Sequence, residues 1–123
     1  MTEEIPDDIV AFASRVFDLA RSGDATVLEY VDQGVAVDLT NDAGDTLLML
    51  ASYNGHATLV EGLLERGADP NKLNDRGQSP TAGAVFKGFD DVIGVLVAGG
   101  ADLDAGQPSA RATAQMFGRN LPA

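Results

Sequence analysis

Apolar residues in this chain recur at helical spacing. Leu59, Val60, Leu63 and Leu64 stand at i, i+1, i+4 and i+5 among the polar residues Thr58, Glu61 and Glu65. They share one face of a helix starting near Ala57, which Gly67 ends. Val92, Ile93, Leu96 and Val97 repeat the arrangement 33 residues later. Ahead of the first group, Thr46 is a good N-cap for a short helix running to about Asn54. Gly55 supplies the left-handed residue that ends it. Near the start, Ile9, Val10, Phe12, Ala13, Val16, Phe17, Leu19 and Ala20 predict a longer helix over roughly Pro6 to Ser22 with a wide apolar face. Pro6 and the acidic pair Asp7 and Asp8 suit its first turn. Between the helices, Asn41-Asp42-Ala43-Gly44 and Asn74-Asp75-Arg76-Gly77 suit tight β-turns, because Asn and Asp hydrogen-bond locally and Gly tolerates positive φ.

The same spacing extends to whole segments. Residues 41–73 laid over 74–106 match without a gap at Asn41/Asn74, Asp42/Asp75, Gly44/Gly77, Ala51/Ala84, Gly55/Gly88, Leu63/Leu96, Gly67/Gly100, Ala68/Ala101 and Asp69/Asp102. Tyr53/Phe86 and Thr46/Ser79 are conservative pairs. With one residue deleted upstream, Ala20-Arg21-Ser22-Gly23-Asp24 falls on Ser52-Tyr53-Asn54-Gly55-His56. Downstream, Ala110 to Asn120 continues the register as a truncated copy, with Phe117 in the place of Ala51 and Ala84. Two short helices bury too little surface alone, whereas stacked copies share a continuous core. The expected fold is therefore all-α: a single-domain solenoid of helix-turn-helix units joined by β-turn loops. Its four units are a capping unit (1–40), two full repeats (41–73 and 74–106) and a partial C-terminal cap (107–123).

Thr46-Leu47-Leu48-Met49-Leu50-Ala51-Ser52, Gly55-His56, Val60, Leu63-Leu64 and Gly67-Ala68-Asp69-Pro70-Asn71 together resemble the ankyrin repeat. The resemblance covers about Ala20 to Gly106. It departs in the T-P-L-H opening, which reads Thr46-Leu47-Leu48-Met49 in one copy and Ser79-Pro80-Thr81-Ala82 in the other, so the histidine that usually links neighbouring loops is absent from both. Gly62, Gly83 and Gly94 within helices each cost about 0.5–1 kcal/mol relative to Ala, which predicts modest stability.

The resemblance implies a module that binds another protein on a concave side built from loop tips and the ends of first helices. By motif position these are Arg21 and Ser22; Asp42, Ala43, Asp45, Tyr53 and Asn54; and Asp75, Arg76, Gln78, Phe86 and Lys87. Tyr53 and Phe86 have two readings, interface anchors or rings that fill the gap between repeats. A narrower implication comes from the small stand-alone bacterial ankyrin proteins, some of which support stress-defence enzymes such as catalases.

Composition narrows the chemistry. Nineteen acidic against eight basic residues give a net charge of −11. Such a field disfavours nucleic acid and anionic membrane and favours a partner with a basic surface. The chain has no cysteine, and its start is acidic rather than signal-like. No apolar run approaches the ~20 residues that span a bilayer. A cytoplasmic monomer is expected. His56, the one histidine, is read as a packing or capping residue of the Gly-His pair. The aspartate clusters lack the Glu of a calcium loop and are read as turn formers. No cofactor or metal is expected, and the chain is not read as an enzyme. The alternative in another class is a carboxylate hydrolase using Asp42 and Asp75, one repeat apart.

Overall fold

Three hydroxyl side chains open the first helix of successive units. Thr46, Ser79 and Ser109 each accept a hydrogen bond from the backbone N–H three residues on, at 3.1 Å, the N-cap interaction that satisfies an orphan donor. The computed structural model describes residues 7–122, which contain seven helices. These are α1 (Asp7–Ser22), α2 (Thr26–Asp32), α3 (Leu47–Tyr53), α4 (Ala57–Glu65), α5 (Pro80–Lys87), α6 (Asp90–Ala98) and α7 (Ala110–Met116). Pro6, expected in the first turn of α1, lies outside the described residues.

The helices form two layers. First helices α1, α3, α5 and α7 pack in that order, second helices α2, α4 and α6 form the other layer, and each hairpin pairs across them. Val16, Phe17, Ala20, Leu47, Leu48, Leu63, Val85, Val92 and Leu96 belong to one core running through the stack. Nearest-neighbour packing of this kind makes the fold a helical repeat solenoid. Among the described residues the only extended pairing is an isolated bridge between Thr40 and Thr46.

Each helix hairpin is tied to the next by the residue that follows its turn glycine. Gly55 and Gly88 hold φ of 81° and 78°. The next residue, His56 or Phe89, lies over the turn glycine of the preceding unit, Gly23 or Gly55. Arg119 covers Gly88 in the same way. A side chain at any of these glycines would meet that cover.

The loops are linked without the missing histidine. The Asp75 N–H donates to the Ala43 carbonyl at 3.0 Å, and Asn74 Nδ2 donates to Asp45 Oδ1 at 2.9 Å. Asp38 Oδ1 accepts from the Asp69 N–H at 3.0 Å, and Asn71 Oδ1 accepts from the Asp102 N–H at 2.6 Å, one repeat later. The aspartates and asparagines of the turns thus do the joining. Arg66 adds a forked pair to Asp32, at 2.8 and 3.1 Å, and this hydrogen bonding holds the Asp32 carboxyl below its usual range.

Three expectations are corrected. Ile9 and Val10 are exposed: α1 has sixteen residues against seven in α3, so its first turns run past the helix that buries Val16, Phe17 and Ala20. Phe117 does not take the place of Ala51 and Ala84. The step from Ser79 to Ser109 is three residues shorter than that from Thr46 to Ser79, so Ala114 holds the buried position and Phe117 falls opposite Lys87. The helix glycines also differ from one another. A Cβ on Gly62 would meet Leu28, and one on Gly83 would overlap the Tyr53 ring, whereas one on Gly94 meets open space. Two of the three therefore make room for a neighbour, which offsets their propensity cost.

Candidate functional site

Tyr53, Phe86 and Met116 hold the same place in the repeat, near the C-terminal ends of α3, α5 and α7. Their environments differ. Tyr53 lies over the hollow left by Gly83, and its hydroxyl donates to the Ser79 carbonyl at 3.2 Å. Burial first, and the Asp45 charge second, push its phenol well above the usual tyrosine range. In the next unit, four residues after the N-cap, Thr113 replaces the glycine and no such hollow exists. Phe86 is 59% exposed. Its ring meets Phe117 edge to face, at 5.6 Å between centroids and 74° between planes. Met116 and Phe117 are 65% and 50% exposed. Tyr53 is thus packing between repeats, and Phe86 faces outward.

These side chains border a groove of about 490 Å³ between α3, α5 and α7, floored by Ala82 and Gly83 and walled by Pro108, Met116 and Phe117. Of the residues expected at an interface, Tyr53, Asn54, Gln78, Phe86 and Lys87 line it. Arg21, Asp42 and Ala43 line a different hollow of about 370 Å³ with Phe17, Asp18 and Asn41. There Arg21 is paired with Asp18 at 2.7 Å. Ser22, Asp45, Asp75 and Arg76 line neither. Met116, Phe117 and Pro108 were not anticipated; the Ser109 N-cap was the signal that would have brought them into register.

The remaining candidate chemistry resolves into structure. His56 Nε2 donates to the Arg21 carbonyl at 2.7 Å. Because a carbonyl only accepts, that nitrogen carries the hydrogen, and the ring acts as a clamp between the first two units. Asp69 accepts from the Asn71 N–H at 2.8 Å, as a turn former does. Asp42 faces the hollow with Arg21, and Asp75 packs against Gly44, its N–H bonded to the Ala43 carbonyl as part of the loop-to-loop link. No helix among the described residues is long and apolar enough to cross a membrane.

A family model for ankyrin repeats, in three copies, matches residues 16–107. The chain belongs to the ankyrin-repeat family. It is 32% identical over 91 residues to the inactive serine/threonine-protein kinase TEX14 of Mus musculus, covering 73% of this chain and 6% of that protein. It is 47% identical over 58 residues to a protein of Pseudomonas aeruginosa named for its ankyrin repeats, covering 46% of this chain and 34% of that one. Against the ankyrin repeat and KH domain-containing protein mask-1 of Caenorhabditis elegans it is 39% identical over 62 residues, 50% of this chain and 2% of that protein. The chain thus spans about a third or less of the length of these relatives. Ankyrin repeats are generally protein–protein interaction modules, and the family is mainly non-catalytic.

Proposed function

We propose that this ankyrin-repeat chain binds a partner protein on the face of its first helices, with the groove between α3, α5 and α7 at the centre of the contact. The observation that carries this reading is a cluster of large apolar side chains, Phe86, Met116 and Phe117, each at least half exposed around one concavity. Grouped apolar exposure of this kind marks interaction sites, and aromatic anchors at a pocket's edge dominate interface energies. The other expected positions, Arg21, Ser22, Asp42, Asp45, Asp75 and Arg76 together with Ala43, would form the mostly polar surround. The narrower role beside a stress-defence enzyme rests on the resemblance alone.

Phe86→Ala is the substitution of choice, because Tyr53 also holds α3 to α5 and its loss would confound binding with folding. Affinity capture from native lysate, quantified by mass spectrometry, is expected to lose the main partner at least fivefold with Phe86→Ala while helical circular dichroism is unchanged. Undiminished capture by the folded variant would place the contact elsewhere.

A further inference from the structure

The groove has a charge character opposite to that of the whole chain. Among the described residues no carboxylate side chain lines it. Asp45, whose charge is felt at the Tyr53 phenol, is engaged by Asn74. The polar lining is largely committed within the chain. Tyr53 donates to the Ser79 carbonyl, Asn54 to the Leu50 carbonyl at 2.7 Å and Thr113 to the Ser109 carbonyl at 2.8 Å, while the Gln78 side-chain oxygen accepts from Asn74 at 2.8 Å. Lys87 differs. It is exposed at the groove's edge, and among the described residues it has no ion pair and no side-chain hydrogen bond. The Arg119 guanidinium lies over Gly88, the residue next to Lys87, and is likewise outside the ion pairs among the described residues. One uncommitted cation, Lys87, therefore stands at the end of α5 beside Phe86, while Arg119 serves as the cover of Gly88.

We propose that the groove takes a peptide segment presenting an apolar side chain close to a carboxylate, the apolar group seated against Phe86, Met116 and Phe117 and the carboxylate paired with Lys87. This rests on the reading of the groove as the partner site and specifies its ligand. It also reverses the expectation of a basic partner drawn from net charge. The field of the distant carboxylates is screened within about 8 Å at physiological ionic strength, whereas a contact pair at Lys87 is screened far less. Local charge then sets the preference and net charge only slows the encounter. The acidic hollow on the opposite layer, with Glu61, Glu65, Asp90 and Asp91 around it, is no competitor for such a segment.

A random dodecapeptide library displayed on phage and panned against the full chain tests this directly. Selected peptides are expected to carry Asp or Glu within three positions of Phe, Leu, Ile or Met, to bind K87E at least fivefold more weakly, and to bind Phe86→Ala more weakly still. Peptides that lose binding to Phe86→Ala but are rich in Lys or Arg, or are indifferent to K87E, would overturn the carboxylate preference and leave the groove as the site. Peptides indifferent to Phe86→Ala and Met116→Ala would overturn both this inference and the proposed site. Failure to select any consensus would overturn the peptide ligand and leave a folded partner surface as the occupant. All three substituted residues are exposed, and thermal melts of each variant check the fold.

Discussion

Leu63→Ala is expected to destabilise the chain by about 2–5 kcal/mol. Leu63 is fully buried in α4 and belongs to the shared core. Its counterpart one repeat on, Leu96, is equally buried. Truncation removes the packed methyls and leaves a void that the stack cannot fill, because α4 is held on both sides by α2 and α6 and from within by α3. A repeat protein is stabilised by interfaces between neighbours, so damage in a middle unit weakens the coupling to both flanks. Urea unfolding followed by circular dichroism should show a large fall in midpoint, with a shallower slope if the flanking units uncouple. A midpoint within experimental error of the unsubstituted chain would mean that α4 does not bury this residue.

Gly83→Ala is the second large effect, and its direction is opposite to helix propensity. Alanine is favoured over glycine inside a helix by about 0.5–1 kcal/mol. The added methyl would, however, overlap the Tyr53 ring, which is held in place by its hydrogen bond to Ser79. Overpacking of this kind costs about 1–3 kcal/mol beyond the propensity gain. Net destabilisation is therefore expected. The cycle with Tyr53→Ala decides the cause. Once the ring is gone, Gly83→Ala should become neutral or stabilising, a coupling of about 0.5–3 kcal/mol between contacting residues. Equal destabilisation in both backgrounds would remove the proposed contact. Chemical denaturation of the four proteins supplies all the numbers.

The helix hairpins, their N-caps and their turn glycines were legible because each depends on residue types at fixed offsets. Thr46 and Ser79 cap as their spacing predicts, and of the second-helix apolar groups Leu59, Val60, Leu63, Val92, Ile93 and Leu96 are buried, with Leu64 and Val97 half-buried against them. What escaped depends on relations between units. The last copy loses three residues in its loop, so counting by the repeat length put Phe117 in a buried site that Ala114 occupies. Reading the N-cap Ser109 first would have corrected the register and brought Met116 into line with Tyr53 and Phe86. The different fates of those two aromatics were hidden for a related reason. A ring's exposure is set by the residue that faces it from the next unit, Gly83 for Tyr53 and Thr113 for Phe86, and a pattern read within one repeat does not contain that residue. Ile9 and Val10 share the apolar face of α1 and are still exposed, because periodicity reports which face a residue shares, not how far the neighbouring helix extends.

The distribution of polar groups sets the character of the groove. The hydrogen-bonding side chains near it are engaged within the chain, Tyr53 across repeats and Asn54, Gln78 and Thr113 within their own unit, so the surface left for a ligand is apolar with a cation at its edge. In the aspartate-rich turns, Asp38, Asp69 and Asp102 accept backbone N–H groups of their own or the next loop. Net charge therefore describes the solvated exterior better than it describes the site.

A partner is expected on the first-helix face at the ends of α5 and α7. Amide-resolved NMR spectra of the full chain, recorded as the captured partner is added, locate the contact. The largest shifts are expected on Ala82, Phe86, Lys87, Met116 and Phe117. Shifts concentrated instead on Glu61, Asp90 and Gly94 of the opposite layer, with the amides of α5 and α7 unmoved, would contradict this placement.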